Sequence, residues 1–521
     1  MTRGRLLPVL ILAAMAFPAP GTAQTFATDD PVLEAIWEEA TERSHLYELG
    51  HHLMDVIGPR LTGSPGLDAA HDWIVETYRE WGVDAENEQY GTWMSWERGP
   101  THVNLTTPRV QTLEATQLAW SPGTEDWLEG PVVALPEAEG PEEFRAWLDE
   151  EVEGRFVLTS FPEPTCRPDR YWEEHASDET VERMQEERER KSEEWTQRIM
   201  AAGMHPAQLP QALEQAGALG VLSTNWSEGW GTIRVFSAGT RQVPSIAFSC
   251  EDYGLLYRLQ ANGHEPEIQV SAEAEFLGEV PTYNTIGRIE GTEYPDEYIL
   301  LSAHLDTWDG ATGATDNGTG TILMMEVMRI LKEVYPDPKR TILVGHWGGE
   351  EQGLNGSAAY AEDNPAIMEG MHLVMNQDNG TGRITEIDTQ GFLRAGEYFS
   401  RWLSQVPSEV SDEVDLIIPG MPDDARSDHA SFVCHGVPSF RLGSHEWDYR
   451  DYTWHTNRDT FDKIVFDEKR QNAVLTAMLT YLAAEEPELM ARDKRVLPAA
   501  NAGEEEGEWP SCRDPLRQWP M

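Results

Sequence analysis

Three observations predict an α/β protein with a mostly parallel central sheet covered on both faces by helices. From about residue 283 onward, short apolar runs at 298–303, 341–345 and 373–375 alternate with helical stretches, of which 319–334 is the most apolar. Continuous apolar runs of that length suit strands buried on both faces. Histidines and carboxylates follow these runs closely, and sites in such sheets form at the carboxyl ends of the strands.

Taken in chain order, residues 1–23 read as a signal peptide. Arg3 and Arg5 precede an apolar run over 6–17, and Gly21-Thr22-Ala23 offers small residues for cleavage before Gln24. That run is short for a membrane span and is interrupted by Pro8. The expectation is export to the periplasm or beyond the cell, with no membrane association after cleavage. Residues 24–109 form the first part of the main domain. A turn-rich stretch, Gly58-Pro59-Arg60-Leu61-Thr62-Gly63, leads into a helix with Ala70, Trp73, Ile74, Tyr78 and Trp81 on one face and Gly82 as its stop.

Residues 110–282 read as an inserted, mostly-β accessory domain, with strands near 154–159 and 243–248 and a charged exposed helix over 178–198. Residues 283–497 carry the remainder of the main domain. The acidic, Pro-containing tail over 498–521 is expected to be loosely ordered. Four cysteines, Cys166, Cys250, Cys434 and Cys512, form no CxxC pair, so a thiolate metal site is not indicated. In an exported chain they can form disulfides, and three full pairings are open.

Composition narrows the function classes. The 521 residues include 91 acidic and 39 basic ones, for a net charge of −52. Such a surface repels nucleic acid and anionic lipid. The excess is spread along the chain, as for a solvated surface.

The chemistry gathers in five places. His304-Leu305-Asp306 follows the first strand, and Asp316-Asn317-Gly318 comes twelve residues after His304. Glu350-Glu351 follows the second strand behind Gly348-Gly349, Asp378 follows the third, and His455 lies in Trp454-His455-Thr456. Any one of these has an ordinary structural explanation, but their ordered emergence at strand ends does not. The N/O donor set suits Zn²⁺, with other divalent ions compatible. Five ligands exceed a single catalytic zinc site, and one shared carboxylate divides them between two ions, three ligands each. Glycines at 318, 320, 348 and 349 allow close backbone approach. Asn317-Gly318-Thr319 matches a glycosylation acceptor, which is discounted because a glycan there would block the site.

This ordered set, with Gly353, Gly356-Ser357 and Ser427-Asp428-His429-Ala430, resembles the M28 family of zinc peptidases, which includes aminopeptidases and carboxypeptidases. The resemblance covers about 45–100 and 283–490, and the intervening region resembles the protease-associated domain found in many members. It implies a zinc-exopeptidase α/β/α sandwich, a peptide substrate, two Zn²⁺ ions and, in some members, a homodimer. It further implies that Asp316 bridges the ions, His304 and Asp378 complete one site, Glu351 and His455 complete the other, and Glu350 is the general base. Asp306 would orient His304. A cis peptide between Asp316 and Asn317 is also implied. Several members have a Tyr before the last histidine ligand, where this chain has Trp454. His445, Tyr449 and Tyr452 are the nearby candidates to replace its donor, and Trp454, His445 and Arg426 are the candidate substrate contacts.

Aminopeptidase and carboxypeptidase or dipeptidase readings both stand. Trp308-Asp309-Gly310 resembles a carboxypeptidase branch of the family, and Arg426 and Arg441 are candidates to hold a substrate carboxylate. Two other classes compete: an M20-like co-catalytic zinc deacylase, disfavoured by the short interval from His304 to Asp316, and a metal-free binding protein on the same scaffold.

Overall fold

The computed structural model describes residues 28–499 and 507–520. The proposed signal peptide lies outside the described residues. One sheet of 14 strands runs through the molecule. Ser439–Ser444, Met371–Asn376, Tyr294–His304 and Arg340–Trp347 lie side by side and parallel. Glu267–Ile289 then pairs antiparallel with Arg340–Trp347 and continues into the second half of the sheet. Ile384–Asp388 and Asp415–Ile417 close the other edge.

The parallel strands are buried because helices cover them. Pro31–Glu42, Pro65–Glu80, Thr319–Val334 and Phe466–Glu485 contribute to the larger core, with Ile299, Leu301, Val344 and Met375 from the strands. Pro65–Glu80 starts at Ser64, whose hydroxyl accepts from the Leu67 amide, with Pro65 in the first turn. Tyr78 and His71 from this helix meet the sheet: Tyr78 Oη lies 2.7 Å from His346 Nε2, and His71 Nδ1 lies 2.7 Å from Thr285 Oγ1. His346 is thus a core residue.

A second core is built from residues between Val103 and Ala272. Here the structure departs from the mostly-β expectation. Leu128–Ala134, Phe156–Leu158, Gly220–Ser223 and Ser245–Phe248 are parallel neighbours. Parallel neighbours need crossover connections, and helices are the compact solution. Pro141–Glu151, Asp178–Ala201, Leu209–Gln215 and Cys250–Ala261 lie in or around those connections, so the region is α/β. The 178–201 helix is not wholly exposed either: Met184 and Trp195 are buried, and Trp195 Nε1 donates to Thr159 O.

The tail also differs from expectation. Cys434 is bonded to Cys512, and Cys166 to Cys250. Beyond Cys512, the Thr92 amide donates to Arg517 O at 2.9 Å, and Arg517 pairs with Glu362 and Asp363. Trp519 packs 4.7 Å from Trp120 and 5.3 Å from Trp93. A few aromatic and cysteine anchors outweigh the polar composition of the segment.

No helix among the described residues is long and apolar enough to cross a membrane.

Two outcomes are expected. Cys434→Ser/Cys512→Ser opens a loop spanning 78 residues of sequence separation, and the lost chain constraint should lower stability by up to about 4 kcal/mol in denaturant titration. Burial pulls the His71 and His346 imidazoles down to about 4 and about 3 from 6.5. Both are held neutral in the fold, so their contribution is complete above pH 6.5 and is lost as pH falls toward 4. Urea midpoints measured across that window should fall more steeply in the wild type than in His71→Gln.

Candidate metal centre

The five predicted ligand residues converge at the carboxyl ends of the parallel strands. His304 ends its strand, Glu350 and Glu351 sit in the turn after Arg340–Trp347, and Asp378 lies two residues beyond Met371–Asn376. Asp316 lies in the irregular segment before Thr319–Val334, and the Asp316–Asn317 peptide is cis.

Ligating atoms fall into two groups. His304, Asp316 and Asp378 form one, and Asp316, Glu351 and His455 form the other, with the atoms of each within 4.8 Å of one another. His304 Nε2 is 3.5 Å from Asp316 Oδ1 and 3.4 Å from Asp378 Oδ1. His455 Nε2 is 3.3 Å from Asp316 Oδ2 and 2.9 Å from Glu351 Oε2. The two Asp316 oxygens therefore face different histidines. Glu350 Oε2 lies 3.9 Å from His304 Nε2, at the edge of this cluster.

The electrostatics ask for cations. Burial, with neighbouring carboxylates, pushes Glu350 and Glu351 well above the usual carboxylate range. Burial opposes the charged His304 imidazole, but Glu350 and Asp378 outweigh it and raise its pKa. His304 Nε2, Asp316 Oδ2 and Glu351 Oε1 are buried with no hydrogen-bond partner, although such groups are normally paired. A borderline-soft divalent cation bound by imidazole and carboxylate fits this donor set, and two such groups fit two ions.

A surrounding layer of hydrogen bonds fixes the donors. Asp306 meets His304 through its main chain. It is the Asp306 backbone carbonyl that lies 2.9 Å from His304 Nδ1, while the carboxylate is 3.7 Å away. That carboxylate instead accepts from the Glu350 and Glu351 amides at 3.1 and 3.2 Å and from Thr62 Oγ1 at 3.1 Å. One aspartate thereby holds both the histidine and the double-glutamate turn.

Sequence reasoning missed two further supports. Asp459 accepts from the Thr315 and Asp316 amides at 2.8 and 2.9 Å, and burial pushes its carboxyl to about 7. Its signal was present in its position four residues after His455. Arg60 is fully buried and donates to the carbonyls of Gly58, Leu305, Thr312 and Gly313, bracing the loop between His304 and Asp316. Nothing local distinguishes Arg60 from a surface turn residue. Asp428 is buried, with burial pushing it to about 7, and its charge bears on Glu350. His429 turns away from the cluster, 3.4 Å from Asp423 Oδ2.

The substrate-contact candidates separate. Asp378, Trp454, Tyr449, Arg426, Arg441 and Arg450 line a cavity of about 470 Å³. His445 is exposed, with its ring edge-on to Trp447 at 6.2 Å, and does not line that cavity. Tyr452 is engaged by Arg170 at 3.1 Å. Burial and the nearby Asp316 and Asp378 carboxylates hold the Tyr449 hydroxyl protonated.

An α/β scaffold carrying a paired N/O donor site at the ends of its parallel strands is the class these features define. Over residues 284–479 the chain matches the model of peptidase family M28. It is 26% identical to carboxypeptidase Q of Pongo abelii over 475 residues, covering 88% of this chain and 89% of that protein. The human carboxypeptidase Q is 25% identical over the same shares. Among solved structures, a peptidase M28 precursor from Shewanella amazonensis SB2B superposes with a TM-score of 0.64 at 23% identity, covering 90% of this chain and 98% of that one. The zinc aminopeptidase BSAP from Bacillus subtilis superposes with a TM-score of 0.54 at 19% identity, covering 84% and 93%.

If the Asp306 carboxylate sets the position of the Glu350 turn, Asp306→Asn should lower kcat about 10- to 100-fold with little change in KM, as read from steady-state kinetics.

Proposed function

We propose that this chain is an exported, zinc-dependent exopeptidase with a two-ion centre. The single observation that carries the reading is the division of one five-residue cluster into two three-residue groups sharing Asp316. His304 and Asp378 would hold one ion and Glu351 and His455 the other, with Asp316 between them. When bound, such ions supply an acidified water and polarise a carbonyl oxygen.

The chain's own residues account for the proton transfers and for positioning. Glu350 belongs to neither group, lies at the edge of the cluster 3.9 Å from His304 Nε2, and is assigned as the base. Burial raises its proton affinity, which suits a group that takes a proton from water and returns it to the leaving amine. The Asp306 carboxylate holds that glutamate's amide, so the base is placed by its main chain. Tyr449 replaces the hydroxyl that Trp454 lacks. It lines the cavity beside Asp378 and is held protonated, so its hydroxyl can donate to developing negative charge.

Within the exopeptidase class, the carboxypeptidase or dipeptidase reading is preferred. The cavity next to Asp378 has three arginines among its lining residues; Arg441 and Arg450 pair with Glu386 and Glu446 of the same lining, which leaves the exposed Arg426, 3.6 Å from Asp423, as the candidate for a substrate carboxylate. A free peptide carboxylate is the complementary group. The likeness to carboxypeptidase Q points the same way. The M20-like alternative is set aside by the M28 match, and a non-catalytic binding protein is disfavoured by the complete donor set.

Glu350→Gln should retain both zinc ions by elemental analysis while losing more than about 100-fold in kcat. Asp316→Ala should bind neither ion well. Full activity in the first variant, or two ions in the second, defeats the assignment. Cleavage of N-blocked but not C-amidated dipeptides supports the carboxypeptidase reading, and the opposite preference supports an aminopeptidase.

A further inference from the structure

A ligating imidazole works only if its ring plane is held toward the metal, and the usual device is a hydrogen bond to its other nitrogen. His304 has that device, through the Asp306 carbonyl. His455 does not: its Nδ1 is buried and has no hydrogen-bond partner. Its backbone is also in the left-handed region, at φ 61°, which is uncommon for a residue other than glycine.

Rings replace the missing bond. Trp454 stacks on the His455 imidazole, with centroids 3.9 Å apart and planes at 27°. Phe236 meets it edge-on at 5.1 Å and 79°, and Trp308 closes a third side at 6.1 Å. Phe236 also packs on Trp308 at 5.4 Å, so the cage braces itself. Aromatic pairs favour these offset-stacked and edge-to-face arrangements, so the cage has an orientation preference that plain apolar packing lacks.

The main chain supports the same histidine from the same source. The Val235 amide donates to His455 O at 2.8 Å, and the Asn457 amide donates to Ile233 O at 3.0 Å. Asn457 Oδ1 accepts from the Ile233 amide, and Arg234 covers Trp454 with its guanidinium carbon 4.9 Å from the ring centroid. Residues 233–236 lie between two strands of the second core, Gly220–Ser223 and Ser245–Phe248.

We propose that Phe236, Trp308 and Trp454 are positioning residues for His455, holding its imidazole in the metal-binding orientation by ring packing. On this basis, the 233–236 segment is an integral part of one cation site and not of the other. The inference rests on the reading of His455 as a ligand. It also explains what Trp454 does, since the residue that departs from the family's tyrosine is the one stacked on the histidine.

The test is zinc binding by the full apo chain, titrated against a chromophoric chelator, together with the visible absorption of the Co²⁺-loaded protein. His455→Ala defines what loss of that site looks like. Phe236→Ala should weaken the same site about 10- to 100-fold, leave the other unchanged and alter the Co²⁺ spectrum. Phe236→Tyr, which keeps the ring, should restore both readouts. Phe236→Leu, which keeps apolar volume for folding, should weaken the site as alanine does. If both non-aromatic variants bind two ions as the wild type does, or both sites weaken equally, the cage proposal is overturned. If His455→Ala itself keeps two ions at full affinity, the ligand reading fails first.

Discussion

Seven carboxylates, Asp306, Asp316, Glu350, Glu351, Asp378, Asp428 and Asp459, are gathered within a few residues' reach of His304, most of them buried. Charges withdrawn from water to this degree are costly unless each is paired or hydrogen-bonded. The surrounding architecture is largely a set of answers to that cost. Asp306 and Asp459 are satisfied by backbone amides, and Arg60 supplies a buried positive charge nearby. Asp316, Glu351 and Asp378 are left facing two histidines, a donor set that suits divalent cations.

The two halves of the centre are supported by different means. Around His304 the support is polar and comes from the residues that immediately follow its strand. Around His455 it is aromatic, and one of its three rings, Phe236, is brought by a segment more than two hundred residues away in sequence. Polar support tolerates little displacement but is independent of distant packing. The apolar support makes the geometry at His455 a property of how the second core sits against the first.

Much of this was legible in the sequence. Apolar runs ending in His304, Glu350 and Asp378 mark strands whose ends carry chemistry, because buried parallel strands are continuous in hydropathy and their ends are not. Less was legible where contacts are long-range. Arg60 reads as a turn residue, and only the fold shows its guanidinium among four carbonyls. The parallel arrangement of the second core is hard to read because three of its strands are only three or four residues long, too short for periodicity to show their direction. The tail's polarity concealed Trp519 and Cys512, which anchor it.

The strand Glu267–Ile289 pairs with Leu128–Ala134 near its beginning and with Arg340–Trp347 near its end. The stretch that matches the peptidase family begins at residue 284, inside that strand. The family match and mechanical continuity thus have different boundaries in this molecule. A fragment cut to the family match would sever an internal strand of the sheet and expose a raw edge beside the Glu350 turn. Excision or exchange of the intervening region therefore amounts to surgery on the sheet itself, and a chimera that respects the fold must carry the whole ribbon formed by Asp84–Thr107 and Glu267–Ile289 as one piece.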